Sequence, residues 1–446
     1  MELESRLGWV QGARRGQASL QYKGHLAGLV VSLALALLGL VDVRRGFLFP
    51  DYALQTPWFA FSPWHLLMLG AGVAGCLVSY RRMKEEEARL GPLPLASYVK
   101  GLALVVFALL VADLFAYRGV AAARAASAGE VGAGWLEAFG ATGWLRPAAL
   151  AASYLLTVWH ATFLGVLLAG LALTVLPHYL RPFLSRTGWG GSLFGAVFAL
   201  PQPFCSCCAS VVAPSLVRRG ASRQFTLAFV VGSPMLNVTS LILAALLLPP
   251  PYAAVRVAAG LILAVPVTWG VARLADGWRG PRGSASPRRW SQWASRWSGR
   301  YCRLFHLEEM VQGRNLSAPS ALLASWLTVS LRIALLIVPT LFLLSLVTAG
   351  LVQVLPESLA NNGLGVVLAA VAGTLLMVPT WAEVPVALQM LQAGFSGPAA
   401  TLLIVLPPVS LPCLALLGGA LGQARVVALL GVVVAGLGAA VGMAFL

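Results

Sequence analysis

Apolar runs of bilayer length recur along the chain, at roughly 26–43, 64–80, 99–117, 147–179, 224–248, 253–273, 320–350, 364–393, 398–421 and 426–446. A hydrocarbon core about 30 Å thick needs a helix of about 20 apolar residues to cross it. With 59% of its residues apolar and only 10% charged, the chain has no separate stretch long enough to fold alone in water. The expected fold class is an all-α, polytopic integral membrane protein.

The formal net charge of +16 does not imply nucleic acid, because the basic residues sit in loops between apolar runs. There they mark the cytoplasmic side of a membrane. The expected partner is the lipid bilayer, with no nucleic acid, and the expected location is the bacterial cytoplasmic (inner) membrane. The N-terminus is polar up to a first run beginning near His25, so no cleavable signal peptide is expected and the first span serves as the signal. Six cysteines do not form a disulfide framework: Cys205, Cys207 and Cys208 are crowded together, Cys76 and Cys413 lie in apolar runs, and Cys302 is in a polar segment.

Four regions follow. Residues 1–146 hold three spans, 147–273 a first transport repeat, 274–319 a basic cytoplasmic linker, and 320–446 a second transport repeat. In the linker, Trp290, Trp293, Trp297, Tyr301 and Leu304 recur at helical spacing beside Arg289, Arg296, Arg300 and Arg303. That pattern suits a helix lying in the membrane surface or an aromatic face packed on the protein itself.

The segment from Ala199 to Leu248 departs from the apolar sequence around it. It places Pro201, Pro203, a Cys205-Ser206-Cys207-Cys208 cluster, an Arg218-Arg219-Gly220 turn and a Ser233-Pro234 break within hydrophobic surroundings. Proline removes a backbone donor and disfavours helix in the residue before it. At membrane depth, freed backbone groups are tolerated only against protein or a wet cavity, so a polar pocket is expected here. If 191–217 crossed the membrane fully, Arg218, Arg219 and Arg223 would face the side opposite Arg181 and Arg186. A re-entrant hairpin keeps them together, and leaves Arg44, Arg45, Arg118, Arg124, Arg146 and Arg256 among the outside loops.

A shift of 174 positions lays Gly220-Ala221-Ser222 on Gly394-Phe395-Ser396, Ser233-Pro234 on Pro407-Pro408, and the cysteine cluster on Pro379–Ala382. Each half then reads as a long span, a broken segment, a Gly-x-Ser turn, a proline-interrupted span and a final span. Loop charge brings the first broken segment in from the cytoplasm and the second from outside. Two inverted repeats, each with a re-entrant hairpin, are therefore expected, about nine spans plus two hairpins in all. Discontinuous segments meeting near the midplane are the mark of an alternating-access transporter.

At PFCSCCASVVAPSLVRRGASRQFTLAFVVGSPMLN the chain resembles the bacterial predicted-permease family that includes the ArsP-type organoarsenical efflux permeases. The resemblance is carried by Cys205, Ser206, Cys207, Pro214, Arg218, Arg219, Gly220, Ala221, Ser222, Ala228, Phe229, Ser233 and Pro234. It continues at Val384-Pro385-Val386, Gly394 and the Pro407-Pro408 pair, over roughly 147–446. The resemblance implies membrane permeation and, in one branch, export of trivalent arsenicals. Cys208 stands where the arsenical-type motif has glycine, and the first three spans lie outside the resemblance.

Thiolates suit soft metals and metalloids, so Cys205, Cys207 and Cys208 are the candidate metal ligands, although buried cysteine also serves as a small apolar residue. Ser206, Ser233, Asn237, Ser410 and Cys413 flank the breaks and join them as candidate substrate-binding residues. Of the ionisable residues in apolar runs, Glu383 and Arg332 are the candidates for proton coupling, or pair with each other to fasten the hairpin; Asp113, near the end of its span, fits snorkelling or a local pair, and His160 a hydrogen-bonded packing residue. The expected activity is permeation of a soft metal or metalloid species, outward, without enzyme chemistry and without a cofactor. An organic or sulfur-containing anion permease and a membrane thiol-disulfide oxidoreductase are the alternatives; the repeat favours transport.

Overall fold

The computed structural model describes residues 2–49, 54–55, 58–90, 95–128, 145–179, 181–200, 204, 206–218, 220–277, 316–354, 361–376 and 383–446. Cys205, Arg219, the Pro379–Ala382 segment and the tryptophan stripe of the linker lie outside the described residues, and so do the side chains of Cys207 and Cys208. Among the described residues, six helical segments are long and apolar enough to cross a membrane, and four shorter apolar helices accompany them. The chain is an all-α membrane protein, with one two-stranded ladder pairing Leu54–Gln55 and Ala60–Phe61.

Two compact units divide the chain, and four of their five boundaries fall inside helices of the described residues. The first holds α1 (Glu2–Arg45), α2 (Pro63–Leu90), most of α3 (Ala96–Ala128), the middle of α4 (Arg146–Tyr179) and the first third of α12 (Pro319–Val354). The third apolar run, at 99–117 in the sequence, is continued as helix: α3 runs on to Ala128 through an alanine-rich stretch of high helix propensity.

Buried polar contacts fasten the first unit. Glu87 of α2 accepts from the Tyr22 hydroxyl at 2.8 Å and from the Ser320 amide at 3.1 Å, and also pairs with the Ser320 hydroxyl. A carboxylate at the first turn of α12 meets amides that have no intrahelical acceptor. At another junction Asp42 accepts from the amides of Phe47 and Leu48 and holds His65 Nε2 at 2.8 Å. Asp113 of α3 and His160 of α4 pair with each other at 3.3 Å, and the imidazole stacks on Tyr117.

The second unit contains α5 (Arg181–Leu184), α6 (Gly188–Ala199), α7 (Ser206–Arg218), α8 (Arg223–Met235), α9 (Val238–Leu247), α10 (Pro250–Ile262), a π-turn at Leu263–Val267 and α11 (Thr268–Gly277). It continues with α13 (Gly363–Leu375), α14 (Glu383–Gln392), α15 (Ser396–Val405), α16 (Leu411–Leu421) and α17 (Ala424–Ala444). Pro266 lacks an amide hydrogen, and the helix widens to π geometry around it.

The elements of this unit recur. Helices α10 and α17 begin at Pro250 and Ala424, 174 positions apart, and α8 and α15 begin within one residue of that spacing. The turn before α8 has Gly220 at φ 87° with its amide on Val217 O and the Ala221 amide on Leu216 O. The turn before α15 has Gly394 at φ 83°, its amide on Leu391 O and the Phe395 amide on Met390 O, the same bonds at the same shift. Both are Schellman closures whose left-handed residue favours glycine.

Packing repeats as well. Helix α6 packs on α8, and α13 on α15; α7 packs on α8, and α14 on α15. Between the halves the contacts are reciprocal, α7 with α16 and α9 with α14. An apolar cluster surrounds the α9–α14 contact, formed by Leu243 and Ala244 of α9, Leu248 just after it, Val384 and Ala387 of α14, and Ala399 and Leu403 of α15. Helices α8 and α15 are the most enclosed, buried from Gln224 to Met235 and from Gly397 to Val405.

Candidate functional site

Helix α8 ends at Met235, three residues after Gly232, and α9 begins at Val238 with Asn237 between them. The last carbonyls of α8 therefore lack the amides that a continuous helix would bring. Arg256, fully buried on α10, replaces them: Nη1 donates to Met235 O and Nη2 to Pro234 O, both at 3.1 Å. The same Nη2 lies 3.2 Å from Glu383 Oε1, and that oxygen also accepts from Ser240 Oγ at 3.0 Å. Glu383 is the first residue of α14, where the positive end of a helix dipole favours an anion. One guanidinium thus ties the break in the first half to the start of a helix in the second.

Loop charge leaves Arg256 among the outside residues; the structure places it inside α10, and that expectation is corrected. Prolines 249–251 look like a loop, yet proline fits the first turn of a helix, so α10 starts at Pro250 and carries Arg256 inward. The cation bound to Glu383 in this contact is Arg256, on α10, while Arg332 lies half-buried on α12. At the 174 shift Arg256 corresponds to Leu430, Glu383 to Ala209 and Ser240 to Leu414. Both members of the ion pair are apolar in the other copy, a complementary difference readable from the sequence that points to their contact.

The remaining candidates are placed around the two breaks. Ser233 is buried and donates to Phe229 O at 2.7 Å, a bond back to its own helix that leaves the hydroxyl engaged. Asn237 is buried at the α8–α9 junction, and its carbonyl receives the Leu241 amide at 3.0 Å. Ser410 occupies the matching place before α16, buried, with the Leu414 amide on its carbonyl at 2.8 Å. Ser206 is the first residue of α7 and buried. Cys413 is buried in the first turn of α16, the helix packed on α7, which carries Cys207 and Cys208. No group of three His, Cys, Asp or Glu side chains that could hold a metal occurs among the described residues.

Comparison with known proteins places this arrangement in a family. The ArsP_1 family model, described as a predicted permease, matches residues 144–445, two thirds of the chain and all of the repeated unit. The chain belongs to the predicted permease family. Within it, this permease is similar to the UPF0718 protein YraQ of Escherichia coli (strain K12), at 31% identity over 330 residues, 71% of this chain and 86% of the relative. No solved structure matches the permease. The matched range begins at the start of α4, so α1, α2 and α3 of this permease lie outside the family model.

Proposed function

We propose that this multi-pass permease exports a soft metal or metalloid species, of the trivalent arsenical kind, from the bacterial cytoplasm by alternating access. It acts as a transporter and not as an enzyme. The observation that carries the substrate class is the placement of Cys413 on the helix packed against α7, which brings a buried thiol to the helix that holds Cys207 and Cys208. Alternating access is supported by the recurrence at 174 positions and by the reciprocal packing of α7 with α16 and α9 with α14. In this reading the copies are inverted, their broken segments are re-entrant hairpins, and Cys205, Ser206, Cys207, Cys208, Ser233, Asn237, Ser410 and Cys413 surround the substrate.

Binding of a soft centre to thiols releases protons. Glu383 receives them, and a proton on its carboxylate weakens its hold on Arg256 and loosens the join between α10 and α14, with Arg332 as the second charge of the coupling pathway. The test is flux of phenylarsine oxide in proteoliposomes. The Cys205→Ser/Cys207→Ser variant loses flux, and Glu383→Gln keeps binding while the pH dependence of flux flattens. Wild-type flux in the double serine variant would refute the metalloid reading.

A further inference from the structure

The α9–α14 contact contains its own anion: Glu383 at the start of α14, accepting from Ser240 in the first turn of α9 and from Arg256 of α10. The α7–α16 contact is its counterpart at the 174 shift, and there the equivalents are Ala209, Leu414 and Leu430. Among the described residues, this second contact carries no carboxylate in either first turn. What it does carry is two buried hydroxyls without partners among the described residues, Ser206 Oγ at the start of α7 and Ser410 Oγ at the start of α16, on residues 1% and 0% exposed. Ser410 stands at an N-cap position with extended backbone and makes no capping bond. By contrast, Ser222 before α8 caps the Phe225 amide at 3.1 Å, and Asn362 before α13 caps the Gly365 amide at 2.8 Å. Buried hydroxyls left unpaired are costly, and helix starts attract negative charge.

We propose that the starts of α7 and α16 meet as those of α9 and α14 do, and that the oxygen which Glu383 supplies in one copy comes from the substrate in the other. The substrate class is a small oxygen-bearing centre, an oxyacid or its anion. This rests on the thiol reading for the identity of that centre. One thiol displaces one hydroxyl of a trivalent metalloid: the metalloid–sulfur bond forms, the metalloid–oxygen bond breaks, and the thiol proton passes by way of Glu383 to the leaving hydroxide, which departs as water. The hydroxyl that remains is held by Ser206, Ser410 and the first amides of the two helices. A centre held by one thiol and by hydrogen bonds, instead of by every thiol present, is one that can leave again.

Binding to the purified full-length protein in nanodiscs tests this with three probes: phenylarsine oxide, whose hydrated form bears two hydroxyls, phenylmercuric ion, which is soft but needs no oxygen contact once thiol-bound, and sulfite. Ser206→Ala and Ser410→Ala should each weaken phenylarsine oxide binding about tenfold, the loss of a hydrogen bond to a charged or strongly polar group. Phenylmercuric binding should stay unchanged, which also reports that the variants are folded, and Ser410→Thr should retain arsenical affinity. Equal arsenical affinity in wild type and both alanine variants overturns the inference. So does a wild-type protein that binds phenylmercuric ion but not phenylarsine oxide, although the thiol reading then survives. Serine-dependent binding of sulfite with neither soft probe bound would retain the oxygen site and reject the thiols. Binding of none of the three rejects both.

Discussion

Replacing Arg256 with leucine leaves the Glu383 carboxylate buried with only the Ser240 hydroxyl of this contact, and takes the guanidinium away from the carbonyls of Pro234 and Met235. Removing one member of a buried pair costs about 3–5 kcal/mol. Each carbonyl deprived of its donor adds about 1–3 kcal/mol. Glu383→Ala should cost about 3–5 kcal/mol by the same reasoning, because the guanidinium keeps its carbonyls but loses its counter-charge. The double variant Arg256→Leu/Glu383→Ala installs the residue types that the other copy has at these places, Leu430 and Ala209. With neither charge buried, only the carbonyl cost remains, so the double variant should be more stable than either the sum of the single losses or Arg256→Leu itself. Unfolding midpoints in mixed SDS micelles measure the cycle. Independent sites add within about 0.5 kcal/mol; because the buried-charge cost enters both single variants and neither charge is left in the double, the cycle should depart from additivity by about 6–10 kcal/mol. Additive losses would show that the two side chains do not depend on each other, and the contact would lose its place in the account.

Two further substitutions probe the scaffold. Gly220→Ala and Gly394→Ala place a Cβ where nothing lies within 4 Å, so the cost is backbone alone, about 1–2 kcal/mol each; thermal unfolding that spares one variant would separate the two turns. Glu87→Ala removes an acceptor from Tyr22 and Ser320 and should lower stability by about 2–3 kcal/mol. Trypsin sensitivity at the start of α12 reports the loss, and an unchanged cleavage rate would count against the anchor.

Much of the second unit is written in its punctuation. Prolines and Gly-x-Ser turns mark where helices must stop, and the helices do stop there: α8 beside Pro234, α15 before Pro407-Pro408, and the Gly220 and Gly394 turns with matching hydrogen bonds. Glu383 stands out because a carboxylate in an apolar run needs a reason to be there. Its partner is harder to see, since Arg256 follows a proline triplet and loop charge alone assigns it to the surface. Only the comparison of copies, Leu430 for Arg256 and Ala209 for Glu383, joins the two residues. Glu87 and Asp42 in the first unit gave less signal. Glu87 sits in an acidic run beside arginines, where a solvated helix face is the simpler reading, and Asp42 sits at the end of its span. Their roles depend on Ser320 and His65, distant in sequence and close only once the helices pack.

The claim on which the account turns is that the two copies enter the membrane from opposite sides. Ala221→Cys and Phe395→Cys place one thiol beside each Gly turn, on equivalent residues of the two halves. Labelling with a membrane-impermeant maleimide, read above the wild-type background in intact cells and in inverted vesicles, should modify Phe395→Cys only from outside and Ala221→Cys only from the cytoplasmic face. Modification of both from the same face would contradict inversion, and with it the alternating-access mechanism.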